Sequence, residues 1–222
     1  MRYKDIRKED NGIEPFVHHL FKPVIHLLVW IFASINVTPN QISFLSLIMG
    51  IFCAYFFLLG SLVFGALFCL LRYLFDAVDG LVGRVKKTTS KFGAYLDNYI
   101  GLWCDFILII SFCICMTYLD KSLVWLYLML PLFFFMLLHF IESLMVVKII
   151  GIDKYKSVKP QTKYRIVEPL NTSDCLFIVF ILSPLWYYLD LMLWIVSVII
   201  SLLILKQIFW FVYYKNKLED KR

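Results

Sequence analysis

Asp76 and Asp79 stand three residues apart in the stretch Asp76-Ala77-Val78-Asp79-Gly80-Leu81-Val82-Gly83-Arg84, and after eight more residues comes Gly93-Ala94-Tyr95-Leu96-Asp97. Residues three apart share one face of a helix, so the first two carboxylates are presented together. Asp97 enters from the next helix, coming from the same side, and the three acids converge at one depth. Carboxylates next to an apolar span are costly unless they are paired or bound to a cation. An oxygen-only ligand set suits Mg²⁺, Mn²⁺ or Ca²⁺ rather than zinc, and Mg²⁺ or Mn²⁺ is the expected cofactor. A divalent ion between carboxylates and a diphosphate is a standard device of phosphoryl transfer. Gly80 and Gly83 let the backbone approach a ligand closely. Arg84 can hold phosphate oxygens bidentately, and Lys86, Lys87 and Lys91 add positive potential. The alternative is a helix end carrying solvated acids beside a basic loop. The coincidence of Asp, Gly and Arg positions speaks against it.

The elements that must position these groups are membrane helices. Hydrophobic residues make up 61% of the 222-residue chain, aromatics 18% and charged residues only 17%, with a mean hydropathy of +0.79. Soluble domains are nearer half apolar and a quarter charged, so lipid must solvate much of this chain. The length suits one domain. Apolar runs between polar breaks predict an all-α polytopic membrane protein with six crossings, near residues 42–59, 62–78, 93–118, 123–147, 174–189 and 191–214. The fifth is short and Pro184 interrupts it. Residues 1–36 form a cytoplasmic and interfacial segment, 37–214 the six-helix domain and 215–222 a tail. Within the first segment, residues 15–36 read as an amphipathic helix or helix pair lying on the inner leaflet, broken at Pro23. A seventh crossing is the competing reading, and it would carry Arg2, Lys4, Arg7 and Lys8 to the wrong side. His18, His19 and His26 are expected at the interface, since no two are three or four residues apart as an adjacent-turn ligand pair would be.

Charge sets the orientation. Of 22 Lys and Arg residues, Lys121 faces the short-loop side and Arg72 and Lys206 lie within helices, while the rest sit at the termini and in the two long loops. The positive-inside rule makes that side, and with it the candidate site, cytoplasmic. The net charge of +6 is better explained by anionic headgroups and nucleotide phosphates than by nucleic acid, because the basic residues border apolar spans. The six cysteines lack zinc-finger spacing and are expected to be buried apolar thiols. The charged start carries no cleavable signal peptide. An aromatic belt at the outer boundary accounts for Trp125, Trp186, Tyr187 and Tyr188.

The spaced motif resembles the signature of the CDP-alcohol phosphotransferases, D-x2-D-G-x2-A-R-x8-G-x3-D-x3-D. Asp76, Asp79, Gly80, Arg84, Gly93 and Asp97 match it in register. The upstream stretch Thr38-Pro39-Asn40-Gln41-Ile42-Ser43 is similar to the one opening the family's first membrane helix, and the six-helix layout agrees, so the resemblance covers roughly residues 36 to 214. It implies a CDP-linked donor, with CDP-diacylglycerol one candidate, whose β-phosphorus is attacked by the hydroxyl of an alcohol or phosphoalcohol acceptor as CMP leaves. It assigns Asp76, Asp79 and Asp97 to metal, Gly80, Gly83, Gly93 and Arg84 to the CDP group, and Asn40 to a further nucleotide contact. It also implies a homodimer in a bacterial inner membrane or an organelle membrane.

Two positions depart from the signature. Its alanine is Gly83 here, a mild change. Its fourth aspartate falls at Gly101, and in the family that residue helps bind a second metal and is the proposed general base; glycine can do neither. Asp105 is one turn further, about 6 Å along the axis, and is either a substitute or a membrane aspartate paired elsewhere in the bundle. On the fourth helix, His139 and Glu142 share a face. With Lys148 at the cytoplasmic edge, Glu142 lies about 9 Å deep and His139 about 13 Å, while Gly101 lies about 12 Å from Gly93. The matching depths make His139 and Glu142 candidate bases beside Asp97 and Asp105; an interhelical hydrogen bond is the alternative role. Arg72, four residues before Asp76, reads as its intrahelical ion-pair partner or as a substrate contact. Lys154, Lys156, Lys159, Lys163 and Arg165 form either an acceptor pocket or a positive-inside loop.

Two readings of function follow. One is an integral-membrane transferase of phospholipid biosynthesis; the other is a non-catalytic relative that binds a CDP ligand or lipid as a partner subunit, which the loss of the fourth aspartate favours. A transporter fits poorly, because the polar residues gather at one leaflet instead of lining a path across the bilayer.

Overall fold

The computed structural model describes Ile6, Asp10, residues 16–88 and 91–125, Tyr127, Leu130, Phe133, Leu137, residues 177–182, and Val198, Ser201, Leu202, Ile204, Leu205, Ile208 and Phe209. Four long helices order these residues: α1 (Phe16–Ser34), α2 (Pro39–Leu58), α3 (Leu62–Lys86) and α4 (Lys91–Asp120), with a short π-helical turn at Ile178–Leu182. No strand occurs among the described residues. Val17–Ser34, Pro39–Leu58 and Tyr99–Asp120 are each long and apolar enough to cross a membrane. Apart from Leu123, which is in a turn, the described residues of the expected fourth and sixth crossings are helical; beyond residues 177–182, the remainder of the last three crossings lies outside the described residues.

Local chemistry explains where the helices stop. Asn36 takes a left-handed conformation, φ 58°, as asparagine tolerates at a helix end, and the Val37 N–H donates back to the Phe32 carbonyl at 3.0 Å. Pro39 then starts α2, where its missing N–H is no loss, and the Gln41 side chain accepts the Thr38 backbone N–H at 2.9 Å. Gly60, φ 75°, turns the chain sharply into α3. At the far end of α3, Lys87 is left-handed and the Thr88 N–H returns to the Gly83 carbonyl at 3.1 Å. Thus α3 runs to Lys86, eight residues beyond the end expected at position 78, and carries the whole Asp76–Arg84 stretch in helical register.

The exposure pattern is that of a protein solvated by lipid. Phe44, Ile51, Phe52, Tyr55 and Leu58 of α2 point outward, while Ser43, Ser46, Arg72, Asp79 and Ser111 are buried. The apolar core joins α2, α3 and α4 through Cys53, Phe57, Cys69, Leu108, Phe112 and Met116, together with Trp125 and Phe180. A second cluster seats α1 on α3 through Ile25, Val29, Leu74, Val78, Leu81 and Val82. The five described cysteines are buried and free, as expected.

One expectation needs correction. Trp125 is not in an outer belt: it is buried, packs edge-on against Phe112 at 6.1 Å and donates its indole N–H to Asp120 at 2.5 Å. His18 and His26 are turned into the protein. Both are buried against the Asp10 carboxylate, which Lys22 also meets at 3.0 Å.

Gly65 leaves room for the Phe57 ring. A Cβ there would lie 2.4 Å from the Phe57 ring, which is wholly buried and packs on Phe112 at 5.3 Å. Gly65→Ala is expected to destabilise the protein by about 1–3 kcal/mol through overpacking, seen as a lower midpoint of thermal unfolding in detergent.

Candidate functional site

Helical continuity through Lys86 puts Arg72, Asp76, Gly80 and Arg84 one above another at four-residue steps, each about 6 Å along the axis. Asp76, Gly80 and Arg84 are exposed, forming an open stripe, and no heavy atom lies within 4 Å of where a Gly80 Cβ would stand. Asp79 and Gly83 lie on the flank turned into the bundle, and both are buried. The stretch past residue 78, beyond the crossing expected at 62–78, is therefore helical as far as Lys86.

α2 reaches this stretch with its first turns. The Ser43 hydroxyl donates to Asp79 Oδ2 at 2.5 Å. One turn deeper, the Ser46 hydroxyl donates to the Arg72 carbonyl at 3.2 Å. Lys86 Nζ donates to the Val37 carbonyl at 2.9 Å, tying the end of α3 to the approach to α2. Asn40, exposed at the second position of α2, is thereby held at the same end of the bundle as Arg84. Sequence reasoning gave Ser43 and Ser46 no role. Their signal was present: Ser43, Ser46 and Gly50 recur every three or four residues along an otherwise apolar helix.

α4 supplies the other side. It begins at Lys91, so Asp97 stands about 9 Å along it rather than one turn in. Gly93 is half-buried near its start; the Asp97 side chain lies outside the described residues. Gly101 and Asp105 follow Asp97 at four-residue steps on the same face. Arg72 does not take Asp76 as its ion-pair partner. Its Nη2 lies 2.7 Å from Asp105 Oδ1 on α4 and also donates to the Gly101 carbonyl at 3.2 Å. The long arginine side chain spans the helix gap, while Asp76 faces the open stripe. Of the two readings of Asp105, the structure shows a membrane aspartate paired within the bundle. His139 and Glu142 lie outside the described residues.

The Arg72–Asp105 pair is enclosed, with side chains 10% and 17% exposed. Removing one partner of such a pair strands the other charge. Arg72→Leu is expected to cost about 3–5 kcal/mol of stability. Arg72→Leu combined with Asp105→Leu is expected to recover most of that, in a double-mutant cycle read by thermal unfolding.

The residues fit a hard divalent cation in their chemistry. Asp76 and Asp79 offer only oxygen, Ser43 occupies one Asp79 oxygen, and the open space at Gly80 leaves room beside Asp76. Among the described residues, no three His, Cys, Asp or Glu groups cluster closely enough to hold a metal. The carboxylate that would complete the set, Asp97, is not among the described side chains.

Comparison with known proteins bears on what this arrangement does. The sequence model described as CDP-alcohol phosphatidyltransferase matches residues 36–205. Over 93 residues the chain is 29% identical to an uncharacterized protein of Aquifex aeolicus (strain VF5), covering 42% of this chain and 45% of that one. It is 36% identical over 72 residues to a bifunctional IPC transferase and DIPP synthase of the same organism, covering 31% and 16%. To the archaetidylinositol phosphate synthase of Pyrococcus horikoshii it is 30% identical over 73 residues, covering 33% and 39%. The matched stretches span less than half the length of each of these relatives.

Proposed function

The chain belongs to the CDP-alcohol phosphatidyltransferase family, and we propose that it is an integral-membrane transferase that moves a phosphoalcohol or phosphatidyl group from a CDP-linked donor to an acceptor hydroxyl, releasing CMP. The observation that carries this reading is the open Asp76–Gly80–Arg84 stripe, backed by the buried Ser43–Asp79 bond, within the stretch the family model matches. CDP-diacylglycerol is the first donor to try. A divalent cation, Mg²⁺ or Mn²⁺, supplies charge neutralisation at the donor diphosphate when bound.

The chain's own residues do the rest. Asp76, Asp79 and Asp97 would hold the cation. Ser43 fixes the Asp79 carboxylate through Oδ2. Arg84 presents a planar fork of donors to phosphate oxygens, and the bare backbone at Gly80 lets the diphosphate lie close to α3. Gly83, Gly93 and Asn40 line the nucleotide end. His139 or Glu142 takes the proton of the acceptor hydroxyl. The site faces the cytoplasm and the protein works as a homodimer. A non-catalytic CDP or lipid binder is the second reading; the absence of a carboxylate at Gly101 favours it.

Metal dependence tests the reading apart from turnover. CDP is expected to titrate onto the purified protein with Mg²⁺ or Mn²⁺ present and to lose at least tenfold in affinity after EDTA. CDP binding that ignores EDTA, or no CDP binding at all, would overturn it.

A further inference from the structure

Position 101 of α4 stands one turn before Asp105, which meets Arg72 of α3, and it brings no side chain of its own. Among the described residues, a Cβ at Gly101 would meet no atom within 4 Å, so on their side the place a carboxylate would enter is open. What stands beside it is a cation already: Arg72 Nη2 donates to the Gly101 carbonyl at 3.2 Å and reaches Asp105 Oδ1 at 2.7 Å. The arginine is fitted there. Ser46 holds its carbonyl, and Gly50 lets its side chain pass, with Arg72 Cδ only 3.5 Å from where a Gly50 Cβ would be. Arg72 is 8% exposed, and its Nε is buried with no acceptor among the described residues. The guanidinium therefore keeps a donor that no described residue accepts.

Resting on the function proposed above, we infer that this site takes a single divalent cation, and that the Arg72 guanidinium, clasped by Asp105 and the Gly101 carbonyl, holds the second cationic position. Asp105 is not free to serve another metal ion. It lies about 12 Å along α4 from Asp97, and a metal ion taking it would have to displace a guanidinium from an enclosed pair. That leaves Asp76, Asp79 and Asp97, a set suited to one ion. A fixed guanidinium differs from a second metal ion in a testable way: supplying the missing carboxylate alone does not create a second metal site, because Arg72 captures it.

Mn²⁺ bound per chain, counted by electron paramagnetic resonance on purified protein saturated with CDP, tests this. The unmodified protein is expected to bind one, and two would overturn the inference while leaving the function standing. None would overturn both. Gly101→Asp is expected to remain at one; two in that variant would show that Arg72 does not hold the position. Arg72→Met combined with Gly101→Asp is expected to reach two, and a count of one there would also contradict the inference. The first two counts decide the matter even if the double variant fails to fold.

Discussion

Asp79→Asn is expected to lower CMP release by roughly a thousandfold or more, since each tenfold is about 1.4 kcal/mol and a lost cation ligand forfeits several. Asp79 is 3% exposed and lies on the buried flank of α3, beside the open stripe that carries Asp76. Asparagine keeps its shape and still offers an oxygen to the Ser43 hydroxyl, now 2.5 Å from Asp79 Oδ2, but it cannot supply the negative charge. A neutral amide is easier to bury than a carboxylate in the metal-free protein. Thermal unfolding of the metal-free variant should therefore be no worse than that of the parent, which separates lost chemistry from lost fold. Activity within tenfold of the parent would show that Asp79 holds no metal.

Replacing the candidate bases is the second large effect. Glu142→Gln and His139→Ala are each expected to remove turnover by about 10²–10⁴-fold, the usual worth of a positioned base, while leaving CDP binding unchanged. Their spacing in the sequence leads to the expectation of one shared helix face at depths matching that of Gly101, and Asp105, the other acid near that depth, is engaged with Arg72 at 2.7 Å. Because Asp105 is already engaged by Arg72, the base is proposed to come from the fourth helix. CMP release is the readout for the chemistry and CDP titration for the binding. Normal turnover in both variants would remove them from the mechanism.

Much of this was legible in the sequence because the bilayer imposes simple rules. Lengths near 20 apolar residues gave α2 and α4 nearly to their ends, and the spacing of Asp76, Gly80 and Arg84 already contained the i, i+4 stripe. The end of α3 was misplaced because charged residues were read as leaving the membrane and hence the helix. Hydropathy reports lipid contact, whereas backbone hydrogen bonding continues to Lys86, where Lys87 turns left-handed. Pairings between helices were the least readable. Arg72 had a sequence neighbour at Asp76 and a spatial one at Asp105, and only packing decides between them. Ser43 looked like a helix-opening residue until α2 and α3 were brought together. His18 and His26 depended on where Asp10 folds, which no periodicity within 16–34 encodes.

The central claim is that this chain transfers a group from a CDP-linked donor. The most direct test supplies purified protein with CDP-diacylglycerol, and in parallel with other CDP-alcohols, in the presence of mixed alcohol and phosphoalcohol acceptors and Mg²⁺ or Mn²⁺, and measures CMP. CMP is predicted to appear with at least one donor only when acceptor and metal are both present, with a matching product identified by mass spectrometry. CDP that binds without any CMP release across all combinations would contradict the claim and leave a binding protein in its place.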